Sequence, residues 1–151
     1  MFIYRLSLTQ YAKDLSGEGA WRFGGRWNKA GTNCVYTAEN RALTVLESLV
    51  HDTINTMPKG LSIMTLHVPD DKDLLLIPNK LPESWNRTEV SEETQQFGSA
   101  LLEKAEYLII RVPSVIAPQE YNYLVNPGHP DIKKVSIADI SDFSFDTRLK
   151  K

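Results

Sequence analysis

Cysteine is almost missing from this chain. Cys34 is the only one among 151 residues, so no intramolecular disulfide and no cysteine-based zinc site can form, which fits a reducing cytoplasm. Histidine is scarce as well: His51, His67 and His129 are the three. None sits at metal-ligand spacing with another, and no metal is expected. No apolar run approaches the ~20 residues of a membrane span. The opening MFIYRLSLTQYAKDL lacks a basic start followed by an apolar core, so it does not read as a secretory leader. Net charge is small too: 17 Lys and Arg against 19 Asp and Glu leave −2. No bulk field therefore draws the chain to nucleic acid or to an anionic membrane. Internal repeats and low-complexity tracts are absent from the sequence.

What is present suits one soluble domain. The chain is 42% hydrophobic and 24% charged, and its length is enough for one ordinary core. Strands are expected at Phe2 to Leu6, Asn33 to Ala38, Leu61 to Val68, Leu74 to Ile77, Tyr107 to Val112 and Tyr121 to Val125, with late strands at Val135 to Ile140 and Phe143 to Phe145. Helices are expected from about Arg41 to about Asp52, capped by Asn40, and from Ser91 to Lys104 despite Gly98. Asn126 to Pro130 reads as a rigid turn, and the basic tail 148–151 as frayed. Short strands that outnumber helices make this a compact α+β domain spanning residues 1–151.

Gly17 to Val50 is the most distinctive stretch. Gly17 to Thr32 holds five of the eight glycines, with Trp21, Phe23 and Trp27 interleaved with Arg22 and Arg26. A flexible linker would lack large aromatics, so this loop packs on something. Gly-Gly-Arg-Trp-Asn matches neither G-x-G-x-x-G nor a P-loop. The strand that follows places Cys34 and Tyr36 on one face and Val35 and Thr37 on the other. In the next helix Ala42, Val45, Leu46, Leu49 and Val50 follow the spacing of a core-facing stripe. Glu47 falls on its shoulder, half shielded or simply solvated. Arg5, in the first strand, points either inward to an anionic partner or outward from an edge strand.

The chemistry open to these residues is narrow. No Ser-His-Asp or Cys-His arrangement can be defended. Cys34 reads as a small core residue, and a glycosidase carboxylate pair is not established. There remain Arg26, Tyr36 and Glu47, with Ser114 and Asn126 further on. Arginine clamps phosphate oxygens through its planar fork, and tyrosine stacks on a flat heterocycle. One carboxylate can stabilise a sugar cation. That set suits cleavage of a nucleotide N-glycosidic bond, above all one whose cationic base leaves without a general acid.

At these positions the sequence resembles the RES domain family, the toxin half of bacterial Xre/RES toxin–antitoxin pairs. The resemblance runs through Tyr4-Arg5, GGRWN at Gly24 to Asn28, VYTAE at Val35 to Glu39, and LES at Leu46 to Ser48 with His51. It continues through VPS at Val112 to Ser114 and NYLVNP at Asn122 to Pro127, followed by His129-Pro130. It implies an ADP-ribosyltransferase-like fold and consumption of NAD+ by hydrolysis, phosphorolysis or ADP-ribosylation of a protein. By this likeness Arg26, Tyr36, Glu47 and Ser114 are the catalytic set. Arg5, Gly25 and Asn126 fall on the NAD+ site, with Ser114 and Asn126 folding back to close it. The implied partner is a DNA-binding Xre-type antitoxin that blocks the site. No direct nucleic-acid binding is implied, and the oligomeric state is left open, a homo-oligomer included.

Overall fold

The structure is a computed structural model and describes residues 1–51 and 58–149. Among the described residues seven strands form one sheet: β1 (Phe2–Leu8), β2 (Val35–Ala38), β3 (Leu61–His67), β4 (Leu75–Leu76), β5 (Ile109–Pro113), β6 (Tyr121–Val125) and β7 (Ser136–Phe143). Their order is β4-β5-β6-β2-β1-β3-β7. β4 and β5 pair in parallel, and the other pairs among the described strands are antiparallel. Three α-helices among the described residues accompany the sheet: α1 (Glu18–Phe23), α2 (Arg41–Leu49) and α3 (Glu92–Lys104). The α+β architecture expected from the sequence is the one observed.

Strand alternation divides the sheet into two packed faces. On one face Ile3, Val35, Met64, Leu66, Ile109 and Tyr123 build the larger core. Short 3-10 turns and loops cover it through Ala12, Leu74 and Val135. On the other face Cys34, Ile110, Val112 and Leu124 pack with Trp27 and with Leu102 of α3. Burying each such side chain contributes roughly 1.5–3 kcal/mol. Cys34 and Tyr36 thus share one face and Val35 the other, as the alternation requires. Burial pushes the Cys34 thiol far up, so it is a neutral core residue.

Several elements differ from the sequence expectation. The glycine-rich stretch contains a helix, α1, because Gly17 and Gly24 at φ 71° and 68° end it on both sides. Of its aromatics only Trp27 is buried; Phe23 is 85% exposed. The expected late strands are one continuous β7, which pairs with β3 through a register shift at Thr65/Leu66. The strand expected at Leu74 to Ile77 shrinks to β4, since residues Lys72–Leu74 form a 3-10 turn. β1 is an interior strand between β2 and β3, not an edge. The helix expected to reach about Asp52 ends at Leu49, and Thr147–Leu149, at the start of the expected frayed tail, form a 3-10 turn; Asp52, Lys150 and Lys151 lie outside the described residues.

The largest difference is on α2. Asn40 caps it as expected, accepting from the Leu43 amide at 2.8 Å. The stripe of Ala42, Val45, Leu46, Leu49 and Val50 does not face the core. Ala42, Leu46 and Val50 are exposed, while Leu43 and Thr44 are buried. The inward face is Leu43, Thr44, Glu47 and Ser48, one turn apart in pairs. Its polar members are satisfied: Thr44 Oγ1 donates within reach of the Tyr4 and Asn40 carbonyls, and Ser48 Oγ donates to the Thr44 carbonyl. Hydrogen bonding removes the desolvation penalty that would otherwise turn this face outward. The consequence is that Glu47 points at the sheet.

Candidate active site

The sheet opens between β1 and β2. The two strands are paired at a single position, Tyr4 with Ala38, while β1 pairs with β3 along its whole length. A cavity of about 280 Å³ occupies the opening, with Arg5 and Leu6 on one side and Thr37 on the other. A larger cavity of about 940 Å³ adjoins it, under the α1–β2 loop and the end of α2. Tyr36, Glu47, His51 and Asn122 line both. Nothing in the sequence marks this opening, which comes from strands diverging after one pair.

Glu47 is fixed by two side chains. Ser114 Oγ and Asn122 Nδ2 both donate to Oε1, each at 2.7 Å. Ser114 is fully buried just past β5. Its hydroxyl oxygen accepts from the Ile116 and Ala117 amides at 3.1 Å, so its one proton is committed to Glu47. Ser114 therefore orients the carboxylate and does not reach the cavity itself. Oε2 takes no hydrogen bond from the described residues. One carboxylate oxygen is anchored, and the other has no partner among the described residues.

Tyr36 presents a ring rather than a reactive hydroxyl. Its hydroxyl accepts from the Trp27 amide at 3.0 Å and donates to Asn28 Oδ1 at 2.7 Å. Burial holds the phenol well above the usual tyrosine range, so it stays neutral. Asn28 is itself fully buried, and its Nδ2 lies within hydrogen-bond reach of the Ala20, Lys29 and Thr32 carbonyls. This network holds the GGRWN turn against β2. Gly25 fits the same scheme: a Cβ there would stand 2.6 Å from the Tyr36 hydroxyl. Its first role is to let the turn close over that ring, although it also lines the larger cavity. From the far side α3 grips the turn: Gln95 Nε2 donates to the Gly25 carbonyl, and Ser99 Oγ accepts from the Lys29 amide. Gly98 permits that contact, because a Cβ there would overlap the Trp27 carbonyl.

Arg26 lines the larger cavity but is partly engaged. Nη1 donates to the Trp85 and Arg87 carbonyls at 3.1 and 2.7 Å, and Nη2 to the Thr88 carbonyl at 3.3 Å. A guanidinium has five N–H donors. Two, the Nε–H among them, have no partner among the described residues. The side chain thus anchors the loop over residues 85–88 through three of its five donors. Thr88 of that loop and Val90 just beyond it line the cavity.

Arg5 stands in the smaller cavity, on a different wall from Arg26. The sequence demanded an anionic partner for an inward arginine. The structure supplies the Asp14 main-chain carbonyl at 2.6 Å, with the Asp14 carboxylate near enough to raise the guanidinium pKa against the larger lowering by burial. Asn126 does not belong to the site. Its Nδ2 donates to the Leu102 carbonyl at the end of α3, and its Oδ1 accepts from the Gly128 amide. An asparagine spent on a helix terminus and a turn is consumed by backbone groups that must be satisfied. It borders neither cavity. Asn122 and Asn28 take the places that sequence reasoning missed. Both lie inside quoted motifs, but only the fold shows which asparagine meets Glu47 or Tyr36. Among the described residues no group of three His, Cys, Asp or Glu is placed to hold a metal.

Known proteins resemble the chain over its whole described length. The RES domain profile matches residues 2–146. A Prs ADP-ribosylating toxin of Sphingobium sp. (strain YBL2) is 36% identical over 144 residues, covering 93% of this chain and 89% of that protein. Toxin Res of Photorhabdus laumondii is 34% identical over 153 residues, covering 100% and 98%. Toxin Res of Pseudomonas putida is 36% identical over 151 residues, covering 99% of each. The fold matches a chain from the crystal structure of the M. tuberculosis MbcT-MbcA toxin-antitoxin complex, with a TM-score of 0.75 at 22% identity over 95% of this chain and 84% of that one. With a matching profile over nearly every residue and full-length relatives above 30% identity, the chain belongs to the RES domain family.

Proposed function

We propose that this chain is the toxin of a toxin–antitoxin pair and that it consumes NAD+ by breaking the bond between nicotinamide and ribose. The observation that carries this reading is Glu47, anchored through Oε1 and open at Oε2, on the wall of a cavity that also holds a tyrosine ring and an arginine fork. A cavity of about 940 Å³ lies in the range of ligand sites. Arg26 would hold the diphosphate with its remaining donors. The Tyr36 ring would stack on the nicotinamide. Glu47 Oε2 would face the ribose and lower the energy of the oxocarbenium-like sugar as nicotinamide departs. Arg5, in the adjoining cavity, adds positive potential. Ser114 and Asn122 hold the carboxylate still, so no reorganisation is needed as charge develops. The names of the relatives agree: each is called a toxin, and one an ADP-ribosylating toxin.

ADP-ribosylation of a protein is the second reading, favoured by that same name. Arginine-modifying transferases of this likeness carry an acid two residues before the catalytic glutamate. Val45 stands there, which turns the expectation away from arginine as acceptor. As partner we propose an Xre-type antitoxin that covers the cavity mouth, where Phe23, Val50 and Ile116 are exposed. The chain would act in the cytoplasm, where NAD+ is available. Incubating the purified protein with labelled NAD+, with and without phosphate and with cell lysate, separates the cases. Free ADP-ribose means hydrolysis, a phosphate-dependent product means phosphorolysis, and label on a discrete protein means transfer. No release of nicotinamide under any of these conditions would overturn the reading.

A further inference from the structure

The proposed chemistry leaves one proton without a destination. An attacking water or hydroxyl oxygen must lose its hydrogen, unlike an already anionic phosphate oxygen, and Glu47 is already assigned to the sugar cation. We propose that His51 is the acceptor-side base of this site, taking the proton from the attacking oxygen. This inference rests on the reading of the site as NAD+-cleaving.

The two cavities narrow the choice. The charged and titratable groups that line them are Arg26, Tyr36, Glu47 and His51 around the larger, and Tyr4, Arg5, Cys34, Tyr36, Glu47 and His51 around the smaller. Guanidinium groups do not take up protons. The Tyr36 hydroxyl is held between the Trp27 amide and Asn28. Tyr4 lies under the Arg41 guanidinium at 4.5 Å, and a neutral phenol is a poor proton acceptor. Cys34 is buried with its thiol protonated. Imidazole, by contrast, exchanges a proton near neutral pH. His51 is exposed at the end of α2, four residues beyond Glu47. It follows the last turn of α2, which ends at Leu49, and together with Glu47 it lines both cavities.

The step balances without another reagent. The acceptor O–H bond breaks and its proton passes to an imidazole nitrogen. The oxygen lone pair forms the bond to C1′. The C1′–N bond breaks with its electron pair, and nicotinamide leaves neutral. Placing the base at the junction lets an acceptor approach through the smaller cavity while the dinucleotide fills the larger one.

The test uses wild type, His51→Gln and His51→Ala, with nicotinamide release followed across pH and NAD+ binding measured separately. Loss of a positioned base typically costs about 10²- to 10⁴-fold in kcat. The expected result is such a fall in both variants with NAD+ affinity within about threefold of wild type, the order of a neutral contact. The acid limb of the pH–rate profile should vanish, and added imidazole should restore turnover to His51→Ala. Wild-type turnover with the acid limb intact in His51→Gln would overturn the role of His51 while leaving NAD+ cleavage standing. A fall in kcat with an unchanged pH profile and no imidazole rescue would show His51 to be structural. Absence of nicotinamide release from wild type would overturn both readings together.

Discussion

The two sides of the larger cavity are built in opposite ways. On one side a carboxylate is held by side chains: Ser114 and Asn122 both grip Oε1 of Glu47. On the other a guanidinium is held by backbone: Arg26 donates to the carbonyls of Trp85, Arg87 and Thr88. The first arrangement fixes an anion and leaves Oε2 without a partner among the described residues. The second uses up three of five donors and ties the cation to a loop. Carboxylate position should therefore be stiff and dedicated to chemistry. Arginine position should be coupled to the loop and dedicated to binding.

That contrast predicts how each side breaks. Glu47→Gln keeps the size of the side chain and removes its charge, and should lower nicotinamide release about 10³-fold, the upper range for losing one electrostatic stabiliser. NAD+ affinity should hold, and a melting curve will show whether the fold persists. A folded variant with undiminished turnover would remove Glu47 from the chemistry. Arg26→Lys should act on the other side of the comparison. An ammonium cannot serve several loop carbonyls and a phosphate together. KM for NAD+ should rise about 10- to 100-fold, the equivalent of one charge-assisted hydrogen bond at ~1.5–3 kcal/mol, with kcat less affected. Amide exchange over residues 85–88 should accelerate in the same variant; unchanged exchange would separate the arginine from the loop. Ser114→Ala should have the smallest effect on activity, about tenfold in kcat, since Asn122 still holds Oε1. Its stability should fall by ~1–3 kcal/mol, because the Ile116 and Ala117 amides lose their acceptor. Denaturant unfolding measures the one and steady-state kinetics the other. A hundredfold loss of kcat would mean that the two donors act as a unit rather than in parallel.

The two sides also differed in how legible they were. Strand alternation correctly put Tyr36 on the face of Cys34, and the Asn40 cap located α2. The same helix misled as to its inward face. Its apolar stripe scored as core, yet Leu46 and Val50 are exposed and Thr44 is buried. Pattern reasoning assumes that apolar burial outweighs polar cost, and on α2 local hydrogen bonds from Thr44 and Ser48 cancel that cost. Motif order led to Ser114 as a member of the site. It could not tell Asn122 from Asn126, four residues apart in one motif. One meets Glu47 across the sheet, and the other satisfies the end of α3. Loop 85–88 left no trace in the sequence, since the carbonyls that receive Arg26 belong to the backbone of any residue.

The sequence by itself determined the class of fold, the family, and the presence of an arginine, a tyrosine and a glutamate on the successive pieces of Gly17 to Val50. Those properties are local, written in periodicity, caps and motif order. Tertiary structure decided that α2 turns Glu47 toward the sheet, that β1 and β2 part after one pair, and that Ser114 and Asn122 converge on one carboxylate oxygen. Each of these depends on contacts between residues 34 to 75 positions apart, with geometry set by how whole elements pack. The residue types of the site are therefore a property of the chain, and its shape is a property of the fold.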